Sequence, residues 1–288
     1  MKHGIYYAYW EQEWDGDYLY YIKKAADIGF DILEIAAQHI TAYNRVQLND
    51  IKKCAEDNDI ILTAGIGPAE DENLSSADEN IRKAGRASFR ETLLNISKLN
   101  INIIGGALYS YWPVDYSKPV DKEGDRARGI AELKVLADYA ADLGIDLCLE
   151  VLNRFENYIL NTAEEGLAYV KEVGKPNVKL MLDTFHMNIE EDSIGSAIRT
   201  AGKYLGHFHT GECNRKVPGR GRTPWAEIGE ALRDIGYDRA VVMEPFVKTG
   251  GTVGSDIKVW RDLSNGATEA EMDKAASDAL MFSRYMLG

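Results

Sequence analysis

The chain has 288 residues, of which 45% are hydrophobic, and a formal net charge of -13. This length and apolar content allow a large core, while the acidic balance argues against a nucleic-acid binder, which would present a basic surface to phosphates. The three cysteines are far apart and lack metal-type spacing, which argues against a disulfide framework, and no run approaches the 18 apolar residues of a membrane span.

Short β-branched or apolar runs alternate with amphipathic stretches along the whole chain. The first predicted strand, residues 4–7, follows the N-terminus directly, so we expect no signal peptide and a cytoplasmic protein. A helical stretch then ends at Gly29, because glycine suits a left-handed helix cap. The other predicted strands cover residues 32–35, 60–64, 101–104, 145–152, 178–182, 204–208 and 240–243.

The predicted helices follow these strands. In the fourth, apolar residues recur at spacings of three and four: Ile130, Leu133, Leu136, Ala137, Ala140 and Leu143. Thr162 with Glu165 predicts a capping box at the start of the next helix. Thr223 and Pro224 predict the start of the helix before the eighth strand, since proline is tolerated at the first helical position. A last helical stretch covers about residues 269–285.

Eight strand–helix units in this order predict an α/β fold, a (β/α)8 TIM barrel that forms a single domain over residues 1–288. A doubly wound sheet is the alternative. Such a sheet normally carries a glycine-rich phosphate-binding turn after its first strand, and here Ala8, Tyr9 and Trp10 stand at that position. The barrel is therefore the favoured fold.

Four consecutive predicted strands each end in a residue type that binds metals. These residues are Glu150, Asp183, His209 and Glu244, separated by 33, 26 and 35 residues. Their side chains should lie on neighbouring strands at the barrel mouth, where active sites of this fold are found. Three carboxylates packed together resist joint ionisation, and a divalent cation would remove that repulsion. One divalent ion per subunit is expected, and the ligand set suits manganese or cobalt, with magnesium or zinc as alternatives.

Further polar candidates lie in the loops that follow the predicted ligands. Glu156, His186 and Arg215 come three to six residues after a ligand, so each could reach over the site. Their alternative is a solvated loop charge. His207 shares a strand face with His209 and is expected to be a partner or an interior residue, because side chains on a strand repeat every two residues. His39 remains ambiguous.

Aromatic residues cluster near the other strand ends. They are Tyr6, Trp14, Trp112 and Phe246. Ligand pockets are mostly apolar with a few polar groups, and a sugar ring presents apolar C–H faces to aromatic rings. Core packing is the alternative, and it is stronger for Tyr6, which lies within a strand, than for Trp112, which lies in a loop.

The segments that contain these residues resemble the D-tagatose 3-epimerase family, and within it the D-allulose (D-psicose) 3-epimerases. The resemblance covers essentially the whole chain. The specific segments are GIYYAYWEQEW from Gly4, IGGALYSYWPVD from Ile104, EVLNRFE from Glu150, MLDTFHMNIEE from Met181, GHFHTGECNR from Gly206 and MEPF from Met243.

This resemblance implies a TIM barrel that binds manganese or cobalt and interconverts ketohexoses epimeric at C3, such as D-fructose and D-allulose. It also implies a homodimer or homotetramer. The metal ligands of the family fall on the four residues already selected at the strand ends. The groups that hold the O1 to O3 end of the substrate fall on Glu156, His186 and Arg215, and the pocket aromatics fall on Tyr6, Trp112 and Phe246.

For the chemistry we predict that Glu150 and Glu244 are catalytic, one removing the C3 proton and the other returning a proton to the opposite face of a cis-enediolate. An aldose–ketose isomerase acting at C1 and C2 is an alternative on the same barrel. A metal-dependent endonuclease is a second, disfavoured by five histidines and the net charge of -13. A non-catalytic sugar-binding or regulatory barrel is a third.

Overall fold

Eight parallel strands close into a barrel, each paired with the next along the chain and the last paired with the first. The computed structural model describes residues 1–288. The predicted TIM barrel is thereby confirmed, because the doubly wound alternative would leave two open sheet edges. The strands are β1 (Lys2–Tyr6), β2 (Ile32–Ala36), β3 (Ile61–Ile66), β4 (Ile103–Gly106), β5 (Asp146–Glu150), β6 (Val178–Asp183), β7 (Leu205–Thr210) and β8 (Ala240–Met243).

Helices connect the strands and surround the barrel. They are α1 (Tyr18–Ile28), α2 (Arg45–Asp57), α3 (Glu79–Ser97), α4 (Lys122–Asp142), α5 (Ala163–Val173), α6 (Thr184–Glu190), α7 (Ile194–Ala201), α8 (Trp225–Asp234), α9 (Gly251–Asp256) and α10 (Glu269–Leu287). The short helices α6 and α9 lie in the loops after β6 and β8, and the other eight form the outer layer. None of the helices has both the length and the apolar character that crossing a bilayer requires.

Most helix boundaries follow the local signals in the sequence. The helix α1 ends at Gly29, which has a φ of 101° in the left-handed region. The predicted capping box at α5 is wrong in one half. Thr162 accepts a hydrogen bond from the Glu165 backbone N–H, but the Glu165 carboxylate accepts from the Asn161 N–H at 2.8 Å. The predicted position of Pro224 is also shifted, because α8 begins at Trp225 and Pro224 occupies the cap itself.

A bulge in β7 sets the register of the site. Leu180 of β6 pairs with Leu205, but Met181 pairs with His207, so Gly206 is an extra residue on β7. A β-bulge of this kind re-aims the side chains that follow it. Beyond the bulge, Asp183 lies directly opposite His209. The position requires glycine, because a Cβ there would lie 2.6 Å from the Lys179 Cβ.

Gly206→Ala should destabilise the fold by about 1–3 kcal/mol, the range for overpacking a well-packed core. The added methyl group would also lie 2.8 Å from the Cys148 Sγ, so it cannot be relieved by moving Lys179 alone. Urea and thermal unfolding midpoints measure the effect. Gly211→Ala is the matched control just beyond the same strand, since its Cβ would meet only the Glu244 carbonyl oxygen, at 3.6 Å. Equal stability of the two variants would contradict the packing argument.

Candidate active site

The four candidate metal ligands lie together at the C-terminal ends of β5 to β8. Glu150 and Asp183 are the last residues of β5 and β6, His209 is next to last in β7, and Glu244 directly follows β8. Asp183 and His209 are buried completely or nearly so, while Glu244 is partly open to the cavity described below. In the sequence, about one strand–helix unit separates each of these residues from the next. The barrel brings them together at the ends of adjacent strands.

The candidate ligand atoms form two close groups that share Asp183. Those of Asp183, His209 and Glu244 all lie within 4.8 Å of one another, and those of Glu150, Asp183 and His186 form a second such group. Asp183 belongs to both groups and so links Glu150 to the other ligands. Ligand atoms about 2.2 Å from one ion lie at most about 4.4 Å apart, so small side-chain movements suffice.

The Nδ1 atom of His209 supports the fit to a cation. This atom is buried, has no hydrogen-bond partner, and lies 3.7 Å from Glu244 Oε1. A buried polar atom without a partner is costly, and a cation among these carboxylates would satisfy it. The residues therefore fit a divalent metal ion. His186 was predicted only as a substrate-binding group, yet its Nε2 lies 3.8 Å from Asp183 Oδ2, so it also borders the ligand cluster.

Arg215 is the cation that the protein itself supplies to this cluster. Its Nη1 donates to Glu244 Oε2 at 3.1 Å and to Asp183 Oδ2 at 3.4 Å, and its Nη2 lies 3.5 Å from Glu156 Oε1. The guanidinium carbon lies 3.6 Å from the centre of the Phe185 ring, a stacking contact that holds the group in place. Arg215 is therefore fixed beside the ligands, with donors directed at the cavity-lining carboxylates.

His186 lies between buried Glu150 and half-buried Glu156 on the other side of the cluster. Its Nε2 lies 3.5 Å from Glu150 Oε1, and its Nδ1 lies 3.9 Å from Glu156 Oε1. The Asn153 side-chain amide bridges His186 and Glu156. Its Nδ2 donates to Glu156 Oε1 at 2.9 Å and lies 2.8 Å from His186 Nδ1. Sequence reasoning missed Asn153, because asparagine is common in loops and nothing in the pattern marks this one. The Asn153 amide thereby fixes His186 and Glu156 relative to each other.

Burial and neighbouring charge shift the pKa values of these groups in different directions. Burial raises the pKa of the Glu150 carboxyl, against the opposing effect of His186. Burial would also raise the pKa of Glu156, but His186 and Arg215 outweigh it and lower that pKa. Burial would lower the pKa of His186, yet Glu156 and Glu150 raise it. The site thus contains two glutamates, buried Glu150 and half-buried Glu156, whose pKa values are moved apart, a pattern typical of acid–base sites.

A cavity of about 470 Å³ opens above these polar groups, and its opposite wall is aromatic. Tyr6, Trp14, Trp112 and Phe246 line it, with the ring centre of Trp14 6.0 to 6.4 Å from those of the other three. Trp112 Nε1 donates to Glu156 Oε2 at 3.0 Å, so the aromatic wall is tied to the polar side. The volume and the lining suit a small sugar.

Glu212 organises the loop that carries Arg215, and sequence reasoning missed it. Its buried carboxylate accepts hydrogen bonds from the Gly219 N–H at 2.7 Å, the Thr223 N–H at 3.0 Å and Trp225 Nε1 at 2.9 Å. Arg215 has a φ of 61°, a left-handed conformation that a non-glycine residue adopts only when its surroundings impose it. Its backbone N–H bonds the Glu212 carbonyl, which holds that conformation.

Glu34 is the second buried acid that sequence reasoning missed. It lies in the middle of β2 and is 0% exposed, with its carboxylate bonded to His207 and His209. Burial would raise its pKa, but the two imidazoles outweigh burial and lower it. The available signal was an ionisable residue inside the apolar run ILEIA, since glutamate is almost never fully buried without partners. His39, in the loop after β2, lines the cavity.

Comparison with known proteins agrees with this architecture. Residues 22–268 match the family described as the xylose isomerase-like TIM barrel. Together with the closed barrel and the cluster of acidic residues and histidine at its mouth, this match places the chain in the class of xylose isomerase-like TIM barrels.

Individual relatives narrow the assignment. The D-psicose 3-epimerase of Agrobacterium fabrum is 67% identical over 288 residues, covering all of both chains, and that of Ruminiclostridium cellulolyticum is 64% identical over 287 residues, covering 100% of this chain and 98% of the relative. A crystal structure of a D-psicose 3-epimerase in the presence of D-fructose matches with a TM-score of 0.99 at 67% identity and full coverage of both chains. The chain belongs to the D-psicose 3-epimerase family, and the expectation of an isomerase is confirmed.

Proposed function

We propose that this protein interconverts D-fructose and D-allulose (D-psicose), and also accepts the related pair D-tagatose and D-sorbose, by proton transfer at C3. The observation that carries this proposal is the convergence of Glu150 from β5 and Glu244 from β8 on one cavity, with Asp183 and His209 between them. Relatives solved in the presence of D-fructose and with D-tagatose add support for a ketohexose substrate.

Glu150, Asp183, His209 and Glu244 would hold the divalent ion. Three carboxylates and one imidazole favour manganese or cobalt, because oxygen ligands suit manganese and imidazole is accepted by both metals. When bound, the ion would polarise the C2 carbonyl as a Lewis acid and so make the C3–H bond more acidic.

The proton transfer itself is assigned to the two glutamates. One carboxylate removes the C3 proton, which leaves C3 planar in an enediolate, and the other gives a proton to the opposite face and inverts the centre. The roles exchange in the reverse direction. His186 lies between Glu150 and Glu156, and these groups can carry the hydroxyl protons of the sugar.

The remaining predicted residues would bind and orient the sugar. Arg215 and Glu156 would bond the oxygens near the reacting carbon, since both face the cavity beside the ligand cluster. Tyr6, Trp112 and Phe246 would pack against the apolar C–H faces of the sugar chain. The single barrel, residues 1–288, is the catalytic unit in this proposal.

The assembly we propose is a homodimer or a homotetramer. Phe155 and Trp260 line a second cavity that adjoins the active site. Each of these residues is 72% exposed. Large exposed aromatic residues often mark protein interfaces. Sedimentation velocity measures the assembly state directly.

Product identity in deuterated water tests the proposed reaction. With D-fructose and Mn²⁺, we expect D-allulose to form and deuterium to appear at C3 of both sugars. An aldose product with label at C1 or C2 would instead establish the aldose–ketose isomerase. Tight sugar binding without any uptake of deuterium would establish a sugar-binding barrel. Either of those results would overturn the proposal.

A further inference from the structure

The buried carboxylate of Glu34 lies beside the ligand cluster and has no part in the reaction described above. Glu34 is 0% exposed. It lies at the centre of β2, paired with Tyr6 of β1 on one side and with Thr63 of β3 on the other. A fully buried carboxylate is costly unless its oxygens are bonded. The partners of Glu34 therefore show what it does.

Both oxygens of Glu34 accept hydrogen bonds. Oε2 accepts from Thr63 Oγ1 at 2.7 Å and bonds His207 Nε2 at 2.7 Å, and Oε1 bonds His209 Nε2 at 2.5 Å. Two ligand atoms about 2.1 Å from one ion at a right angle would lie about 3 Å apart, so the shorter distances here are those of hydrogen bonds. Glu34, His207 and His209 are thus a hydrogen-bonded cluster.

This arrangement decides which nitrogen of His209 can bind a metal ion. An imidazole that donates its Nε2 proton to a carboxylate keeps its lone pair on Nδ1. The Nδ1 atom of His209 is buried without a hydrogen-bond partner and lies 3.7 Å from Glu244 Oε1, on the side of the candidate ligands. The second imidazole, His207, shares the carboxylate and packs edge-on against His209 with ring centres 5.0 Å apart.

We infer that Glu34 is a positioning residue for the divalent ion, which holds His209 in the tautomer and orientation that present Nδ1 to the ligand cluster. The inference rests on the proposed cation site, because it assigns to Glu34 a role at that same ion. Residues bonded to a metal-binding histidine typically raise metal affinity 10- to 100-fold. Glu34 is expected to act through His209 and not through contact with the sugar.

Glu34→Gln tests this role. A glutamine amide can accept from one imidazole N–H but must donate at its other end, so it favours the wrong tautomer in one of the two histidines. We expect the Kd for Mn²⁺, measured by electron paramagnetic resonance of the free ion, to rise about 10- to 100-fold. Thr63→Val is the matched control, because it removes one hydrogen bond to the same carboxylate and leaves the bond from His209 intact. It should keep most of the Mn²⁺ affinity.

The visible absorption of bound Co²⁺ supplies a readout that a general loss of stability would not move. At saturating Co²⁺, the spectrum of Glu34→Gln should differ from that of wild type, while the spectrum of Thr63→Val should not. An Mn²⁺ Kd for Glu34→Gln within about threefold of wild type, with an unchanged Co²⁺ spectrum, would overturn the inference, since the typical effect is at least tenfold.

Histidine nitrogen NMR on the wild-type protein keeps the inference testable if Glu34→Gln does not fold. In metal-free protein, we expect His209 to carry its proton on Nε2, and with added Zn²⁺, a diamagnetic probe, Nε2 should stay protonated while Nδ1 becomes the coordinating nitrogen. Zn²⁺ binding with loss of the Nε2 proton would refute the role of Glu34. The proposed reaction is tested separately by D-allulose formation. Metal binding through Nδ1 without epimerisation would refute the reaction and leave the role of Glu34 supported.

Discussion

Glu150→Gln and Glu244→Gln should each lower kcat for the epimerisation of D-fructose by roughly 10² to 10⁴, the usual contribution of a general acid or base. A glutamine amide keeps the size of the side chain but can neither take up nor deliver the C3 proton. Both side chains are also candidate metal ligands, so bound Mn²⁺ must be quantified in each variant. Initial rates are then compared at equal metal occupancy.

Exchange of the C3 proton with solvent distinguishes the roles of the two glutamates. Each acts as the base for one epimer only, so one variant should still exchange the C3 proton of D-fructose with deuterated water and the other that of D-allulose. Glu123→Gln is the control, because Glu123 is exposed in the first turn of α4 and lines neither of the two cavities described above. Near-wild-type kcat in either site variant, or loss of exchange from the same epimer in both, would contradict the assignment.

Chelation of the divalent ion should abolish turnover and lower the thermal midpoint of unfolding. Without the ion, Glu150, Asp183 and Glu244 repel one another, and Arg215 compensates only in part through contacts of 3.1 and 3.4 Å to two of them. An ion present at 100 times its Kd stabilises the fold by about 2.7 kcal/mol. The thermal midpoint, measured by calorimetry, and the activity should both recover when Mn²⁺ or Co²⁺ is returned. Mg²⁺ or Zn²⁺ should restore them less fully.

His209→Gln provides the comparison for this experiment. Removing the imidazole deletes the ligand atom Nδ1, so the thermal midpoint of this variant should depend much less on added Mn²⁺ than that of wild type. Full activity of the wild-type protein after its metal content has been reduced to a trace would exclude a metal-dependent reaction. A thermal midpoint that does not respond to Mn²⁺ would exclude binding at this cluster.

The sequence predicted the barrel and most of the candidate site because their signals are local. Buried parallel strands appear as short apolar runs, and consecutive runs become neighbouring strands in a barrel. Charged residues at the ends of four such runs therefore had to meet at one mouth, and Glu150, Asp183, His209 and Glu244 do so. The loop residues Glu156, His186 and Arg215 followed from the same ordering.

The tertiary structure decided everything that depends on distant contacts. Glu34 and His207 are 173 residues apart, so no local pattern could reveal that this glutamate bonds the histidines of β7. The extra residue Gly206 becomes visible only when β7 pairs with β6. Likewise, Glu165 could have bonded the cap residue but bonds the Asn161 N–H instead. Apolar periodicity determines which strands form and in what order, whereas the partner of each buried polar group is chosen by packing across the barrel.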